Sequence, residues 1–93
     1  MTIGLLRIEF IIPSIGSLKE KRSLIKSMKD RVQNEYNVAV AEIGNLNNFG
    51  KGMVGFTTLS KDGNMPQQIL NRVEEYIDKN FNIIVTDRLI ELF

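Results

Sequence analysis

Residues 2–24, TIGLLRIEFIIPSIGSLKEKRSL, contain a change of period that decides the fold. Up to Ile12 the apolar side chains alternate. Leu6, Ile8, Phe10 and Ile12 fall on one side and Leu5, Arg7, Glu9 and Ile11 on the other, the signature of a strand with one buried face. Pro13 and Gly16 end the alternation. Ser17-Leu18-Lys19-Glu20 then has the capping-box pattern, in which the serine hydroxyl accepts a free backbone N–H and the glutamate reaches back to the N–H of the serine. From Leu18 onward the apolar residues Leu24, Ile25, Met28, Val32 and Tyr36 recur at helical spacing. Asn37 is placed to stop the helix in a left-handed conformation. At 1.5 Å per residue such a helix is about 28 Å long, enough to cross a sheet.

The same reading carries outward. Residues 38–44, VAVAEIG, are small and β-branched and read as a second strand. NLNNFGK is a loop and residues 52–60, GMVGFTTLS, a third strand, so the two make a hairpin. KDGN is turn chemistry, and Asn64 with Pro66 opens a second helix whose apolar face is Ile69, Leu70, Val73, Tyr76 and Ile77. Asn80 closes that helix, and residues 81–93 form a last strand whose long apolar run has room for a bulge. The order is β-α-β, β-α-β. Right-handed crossovers leave essentially one architecture, a ferredoxin-like α+β sandwich of residues 1–93 with four antiparallel strands and two helices on one face.

Ninety-three residues allow one core. The chain has no cysteine, which removes disulfides and thiolate chemistry, and no histidine, which removes the commonest general base and metal ligand. No apolar run is long enough to span a membrane, and the N-terminal residues, with Arg7 and Glu9 among them, do not read as a signal peptide. A cytoplasmic protein is expected. Glu74 and Glu75 face different directions, and Asp87 and Glu91 sit beside no nucleophile, so the expectation is no enzyme, no metal and no cofactor.

Charge is unevenly spread. Between Ser17 and Arg31 six basic residues against Glu20 and Asp30 give +4 in a chain of net +1, leaving −3 on the rest. Lys19, Arg22, Lys26 and Lys29 follow at spacings of three, four and three, a continuous stripe beside the apolar arc that could track phosphates. The same stripe could simply be a solvated helix face. Lys21 projects nearer the apolar arc and must either snorkel outward or find a carboxylate; the topology brings Glu42 near the helix start, and a Lys21–Glu42 pair holding helix to sheet is expected. The nucleic-acid-binding candidates are therefore Lys19, Lys21, Arg22, Lys26 and Lys29. A second candidate surface is the open sheet face, on which Leu5, Ile11, Met53, Leu59, Ile90 and Leu92 are expected to cover a homodimer interface.

Two near-motifs fail on inspection. KGMVGFTTL, Lys51 to Leu59, sits where RNA-recognition motifs carry exposed aromatics, but Met53, Gly55 and Thr57 would face outward and Phe56 inward, so bases have nothing to stack on. GNLNNFGKG, Gly44 to Gly52, approaches a P-loop but lacks the final hydroxyl residue and enters a strand. A mobile hairpin loop with Phe49 at its tip is expected there instead, free to touch a partner or to fold back.

The segment from Gly4 to Gly44 resembles the YlxP-like proteins, a family of small bacterial proteins of unknown function. The resemblance rests on Pro13, Ser17-Leu18-Lys19, Lys21-Arg22, Tyr36-Asn37-Val38 and Val40-Ala41-Glu42, with Gly55 in the following strand. It departs at Asn45–Phe49, where the family often has acidic residues, histidine or glutamine and a tryptophan. The resemblance implies the ferredoxin-like fold, a bacterial cytoplasmic setting and, because such proteins tend to be encoded among translation and ribosome-maturation genes, a role near RNA or the ribosome. The leading expectation is a non-enzymatic RNA- or ribosome-associated module using the basic helix. The alternative is a dimeric small-ligand regulatory or protein-interaction module using the open sheet face.

Overall fold

A computed structural model describes all 93 residues. The chain runs β1 (Thr2–Ile11), α1 (Leu18–Glu35), β2 (Ala39–Gly44), β3 (Lys51–Ser60), α2 (Met65–Asn80) and β4 (Ile84–Leu92). The strands form one antiparallel sheet in the order β2-β3-β1-β4, with both helices on the same face. This is the ferredoxin-like sandwich expected from the alternation and the two crossovers.

The alternation of β1 sets the layers. Leu6, Ile8 and Phe10 point under the helices and pair in register with Phe56, Val54 and Gly52 of β3. Met28 and Val32 of α1 and Leu70, Val73 and Ile77 of α2 close over them with no side chain left in water. The absence of a side chain at Gly52 is needed: a Cβ there would lie 2.5 Å from Cζ of Phe10. Two stacked contacts tie the helices to each other: the Tyr36 and Tyr76 rings meet edge-on at 5.9 Å, and the Arg31 guanidinium lies 4.8 Å from the centre of the Phe81 ring.

Both helices start where the sequence places them, with differences in detail. Ser17 Oγ accepts from the Glu20 N–H, but the Glu20 carboxylate takes the N–H of Gly16 rather than that of Ser17. Asn37 does not adopt the left-handed conformation. The chain leaves α1 through an extended Tyr36, whose N–H still bonds Val32, and the one non-glycine residue with positive φ is Asn45. Asn80 does close α2, its side-chain amide donating to the Tyr76 carbonyl. Neither helix is long and apolar enough to cross a membrane.

The last strand corrects part of the open-face assignment. Leu6 pairs with Ile90 and Gly4 with Leu92, so Ile90 and Leu92 lie on the helical side and are not open-face residues. Ile90 packs against the core there. The pairing also brings Arg88 level with Ile8 on that side, where it makes a bidentate ion pair with Glu74 of α2. Burial of Ile90 and the Arg88–Glu74 fork act on the same register, and together they select it. A bulge at Thr86 lets Glu9 face Asp87 while Phe10 faces Val85, which turns Ile84 and Leu89, of opposite parity, to the same open face. Leu5, Ile11, Met53 and Leu59 are on that face as expected.

Candidate functional site

The outward side of α1 exists because its inward side is so fully used. Ile25, Met28 and Val32 are buried at helical spacing, and the flank beside them carries Lys19, Arg22, Lys26 and Lys29, all exposed. The structure brings these four together as one stripe along the helix. Lys26 is the partly committed member. Its ammonium donates to Asp30 Oδ2 at 2.6 Å, one turn on, and that hydrogen bond, with the charge of Asp30, raises its pKa above the ordinary 10.5. Lys19, Arg22 and Lys29 make no ion pair or side-chain hydrogen bond within the chain.

Lys21 leaves the stripe. It is 1% exposed, so it cannot offer its charge to a phosphate. Its ammonium points under the helix start and stands 3.0 Å from Glu42 Oε2, the pair expected from the position of Lys21 beside the apolar arc. No hydrogen bond of acceptable geometry reaches Glu42 Oε2, so the attraction between the two is Coulombic. The donors of Lys21 go elsewhere, to the carbonyls of Asn45 at 2.5 Å and Asn48 at 2.7 Å. One buried cation therefore joins helix, strand and hairpin loop.

That anchoring changes the picture of the loop. Asn48 N–H donates to the Asn45 carbonyl, Gly50 N–H donates to Asn48 Oδ1, and Ile12 N–H takes the Gly50 carbonyl. The segment expected to be a mobile hairpin is tied down at several points, and Phe49 and Leu46 stay exposed on it. Residue-type reasoning could not find Asn45 and Asn48 as partners of Lys21, because they act through backbone carbonyls.

The open sheet face is a second surface. Its two central rows across β2, β3, β1 and β4 are Ala39–Thr57–Leu5–Glu91 and Ala41–Gly55–Arg7–Leu89. Arg7 and Asp87 form an ion pair at 3.3 Å near its centre. Ile3, Ile43, Ile84, Leu89 and Phe93 belong to this face and were missed. Ile3 shares the parity of Leu5 in the uninterrupted alternation of β1 and was legible there, whereas alternation alone cannot assign Ile43, Ile84 and Leu89, where bulges at Ile43 and Thr86 shift the phase. No three aspartate, glutamate, histidine or cysteine residues gather as a metal-holding group.

The element order and sheet define a small ferredoxin-like α+β domain, and solved structures agree at the level of fold. Two designed proteins, Foldit4 and Ferredog-Diesel, each superpose with a TM-score of 0.51 at 19% and 13% identity, covering 99% and 98% of this chain and 94% and 84% of theirs. A chain assigned as a chlorite dismutase superposes with a TM-score of 0.54 at 10% identity, over 99% of this chain and 44% of that one. The chain belongs to the DUF503 family, described as a protein of unknown function, whose model matches residues 3–89. It is 38% identical over 76 residues to the uncharacterized protein YlxP of Bacillus subtilis (strain 168), covering 82% of this chain and 83% of that one.

Proposed function

We propose that this protein is a binding module that contacts the phosphate backbone of structured RNA, in free form or within a ribosomal particle, through the outward face of α1. The observation that supports it is the exposed stripe of Lys19, Arg22, Lys26 and Lys29, three of which have no carboxylate partner in the chain. Arg7, Lys21 and Arg88 are paired internally, with Asp87, with Glu42 and the loop, and with Glu74, and other exposed basic residues without an ion pair, Lys51, Lys61, Arg72 and Lys79, are spread over β3, the turn after it and α2. A rigid helix with side chains at three- and four-residue spacing presents its charges along one line, and each phosphate neutralised releases counterions. Binding of this kind is read as electrostatic positioning rather than base recognition, since the sheet offers no aromatic platform.

Sedimentation of the protein with bacterial ribosomal subunits at low and high salt tests the proposal. The expected result is movement into the subunit fractions at low salt, lost at high salt, and abolished by Arg22→Glu with Lys29→Glu. With three or four phosphates contacted, log affinity should fall against log salt with a slope of about −2 to −4. Binding unaffected by those reversals, or no binding at low salt, overturns the assignment.

A further inference from the structure

The open face of the sheet is shaped as two unlike halves. Along the row Ala41–Gly55–Arg7–Leu89 the first two residues are small and the last two large, and the neighbouring row Ala39–Thr57–Leu5–Glu91 repeats the pattern. In these two rows the β2/β3 half is low and the β1/β4 half raised, the low area being bounded by Met53, Leu59 and Ile43, which leans over Gly55. Two hollows mark the low half. One, of about 240 Å³, is lined by Leu5, Ala39, Ala41, Ile43, Gly55 and Thr57, and the other, of about 480 Å³, by Ile3, Asn37, Val38, Ala39 and Leu59 among others. The raised half carries Leu89 in the row of the first hollow. It also carries Phe93, 66% exposed, whose backbone pairs with Ile3 in the row of the second.

We infer that the occupant of this face is a second copy of the chain, packed sheet to sheet about a two-fold axis that runs along the strands between β3 and β1. Such an axis keeps each row and exchanges its ends, so β2 lies over the partner's β4 and β3 over the partner's β1. Ala41 and Gly55 then receive the partner's Leu89, and the hollow beside Val38 and Leu59 receives the partner's Phe93. Both sites occur twice, as an isologous contact requires. Nearly aligned strands are the ordinary geometry of stacked sheets, which pack about 10 Å apart.

Area and charge are compatible with this occupant. Strands of 10, 6, 10 and 9 residues at about 3.3 Å per residue and about 4.8 Å apart give a face of roughly 550 Å² on each copy. Two such faces bury about 1,100 Å², just under the standard range but above the roughly 1,000 Å² a specific interface needs. Arg7 brings Asp87 with it as its own counter-ion, so the central guanidinium is not left unpaired when water is excluded. Glu9 and Glu91 share the face without an ion pair in the chain; Glu91 lies on the edge strand, within reach of water, and Glu9 falls one row from Lys51 of the second copy. Both helices stay outside, and the basic stripe of each copy remains free. The dimer does not depend on what the stripe binds.

Cysteine cross-linking tests the axis. The chain has no cysteine, and within one copy Ala41 and Leu89 are three strand spacings, about 14 Å, apart, whereas across stacked sheets they face each other at about 10 Å, too far for a disulfide but within reach of a short thiol-specific linker. Treatment of the Ala41→Cys, Leu89→Cys double variant with a short bis-maleimide should convert it to a covalent species of twice 10.6 kDa, while neither single variant cross-links. The unmodified protein should sediment as a dimer. Ala41→Arg, at an exposed position, should shift it to monomer with an unchanged circular dichroism spectrum. The Arg22→Glu, Lys29→Glu variant should remain dimeric, so failure of the RNA assignment and of this one are separable. A monomer at about 100 μM protein, or cross-linking of the single Ala41→Cys variant as readily as of the pair, overturns the arrangement.

Discussion

Replacing Lys21 by methionine isolates the contact on which three elements converge. Methionine preserves most of the volume and removes the charge. The carbonyls of Asn45 and Asn48 lose a donor each, and Glu42 loses its counter-ion while retaining only part of its access to water. Hydrogen bonds from a charged donor contribute about 1.5–3 kcal/mol, and stripping one partner from a buried pair costs about 3–5 kcal/mol. Two effects reduce the sum: the ammonium no longer has to be desolvated, and the Glu42 side chain is 22% exposed, so water can reach it. The net expectation is destabilisation of about 2–3 kcal/mol. For a domain of this size that lowers Tm by about 8–20 °C. Glu42→Gln keeps the two carbonyl bonds but leaves the buried ammonium without its counter-ion, and should cost about 2–3 kcal/mol. Combining Lys21→Met with Glu42→Leu should recover part of the loss, because no charge is then left unpaired. Chemical denaturation of the parent, Lys21→Met, Glu42→Leu and their combination closes the cycle, with Glu42→Gln measured beside them, and amide exchange at Gly50 reports whether the loop loosens. Lys21→Met within about 0.5 kcal/mol of the parent, with Glu42→Gln melting unchanged, would refute the reasoning.

Gly52→Ala should destabilise by about 1–3 kcal/mol in denaturant titration, since the added methyl must displace the Phe10 ring from the core. Ser17→Ala should cost about 1 kcal/mol, and Ser17→Asp almost nothing, because aspartate can accept the same Glu20 N–H. Asp30→Asn releases Lys26 from its partner without touching the core, so in the ribosomal-subunit assay it should bind more tightly and steepen the salt slope by up to about one. Weaker binding by that variant would count against the stripe.

The division between what could and could not be read follows from where the information resides. The layers of the sheet were legible in β1 because Leu6, Ile8 and Phe10 alternate without interruption with Arg7 and Glu9. The Lys21–Glu42 pair was legible because a lysine on an apolar arc has few ways to avoid an unpaired charge. Residues 83–92 were not, since Ile84, Ile90 and Leu92 at one parity compete with Ile83, Val85 and Leu89 at the other. What settles it is pairing with β1, the bulge at Thr86 and the Arg88–Glu74 fork, and all three are long-range. The loop anchor was hidden for a different reason. Backbone carbonyls carry no residue label, and Asn45 at positive φ and Asn48 turn theirs toward the same ammonium.

The fate of Lys21 also bears on how the basic stripe should be weighed. By sequence it adjoins Arg22 and inflates the charge of the helix, yet folding removes it from the surface. Its charge is offset by Glu42, and the loop carbonyls accept its hydrogen bonds. The surface charge that remains on this arc is that of Lys19, Arg22 and Lys29, with Lys26 shared with Asp30. A density estimated from composition would therefore overstate the phosphate contacts, and the salt slope is the quantity that separates the two counts. Release of Lys21 from its cage on binding, with the hairpin loop loosening, would take the slope to about −4.5, whereas a slope near −3 matches the helix as it stands. Running the titration with Lys21→Met decides between them: an unchanged slope places Lys21 wholly on the structural side, and a slope reduced by one returns it to the interface.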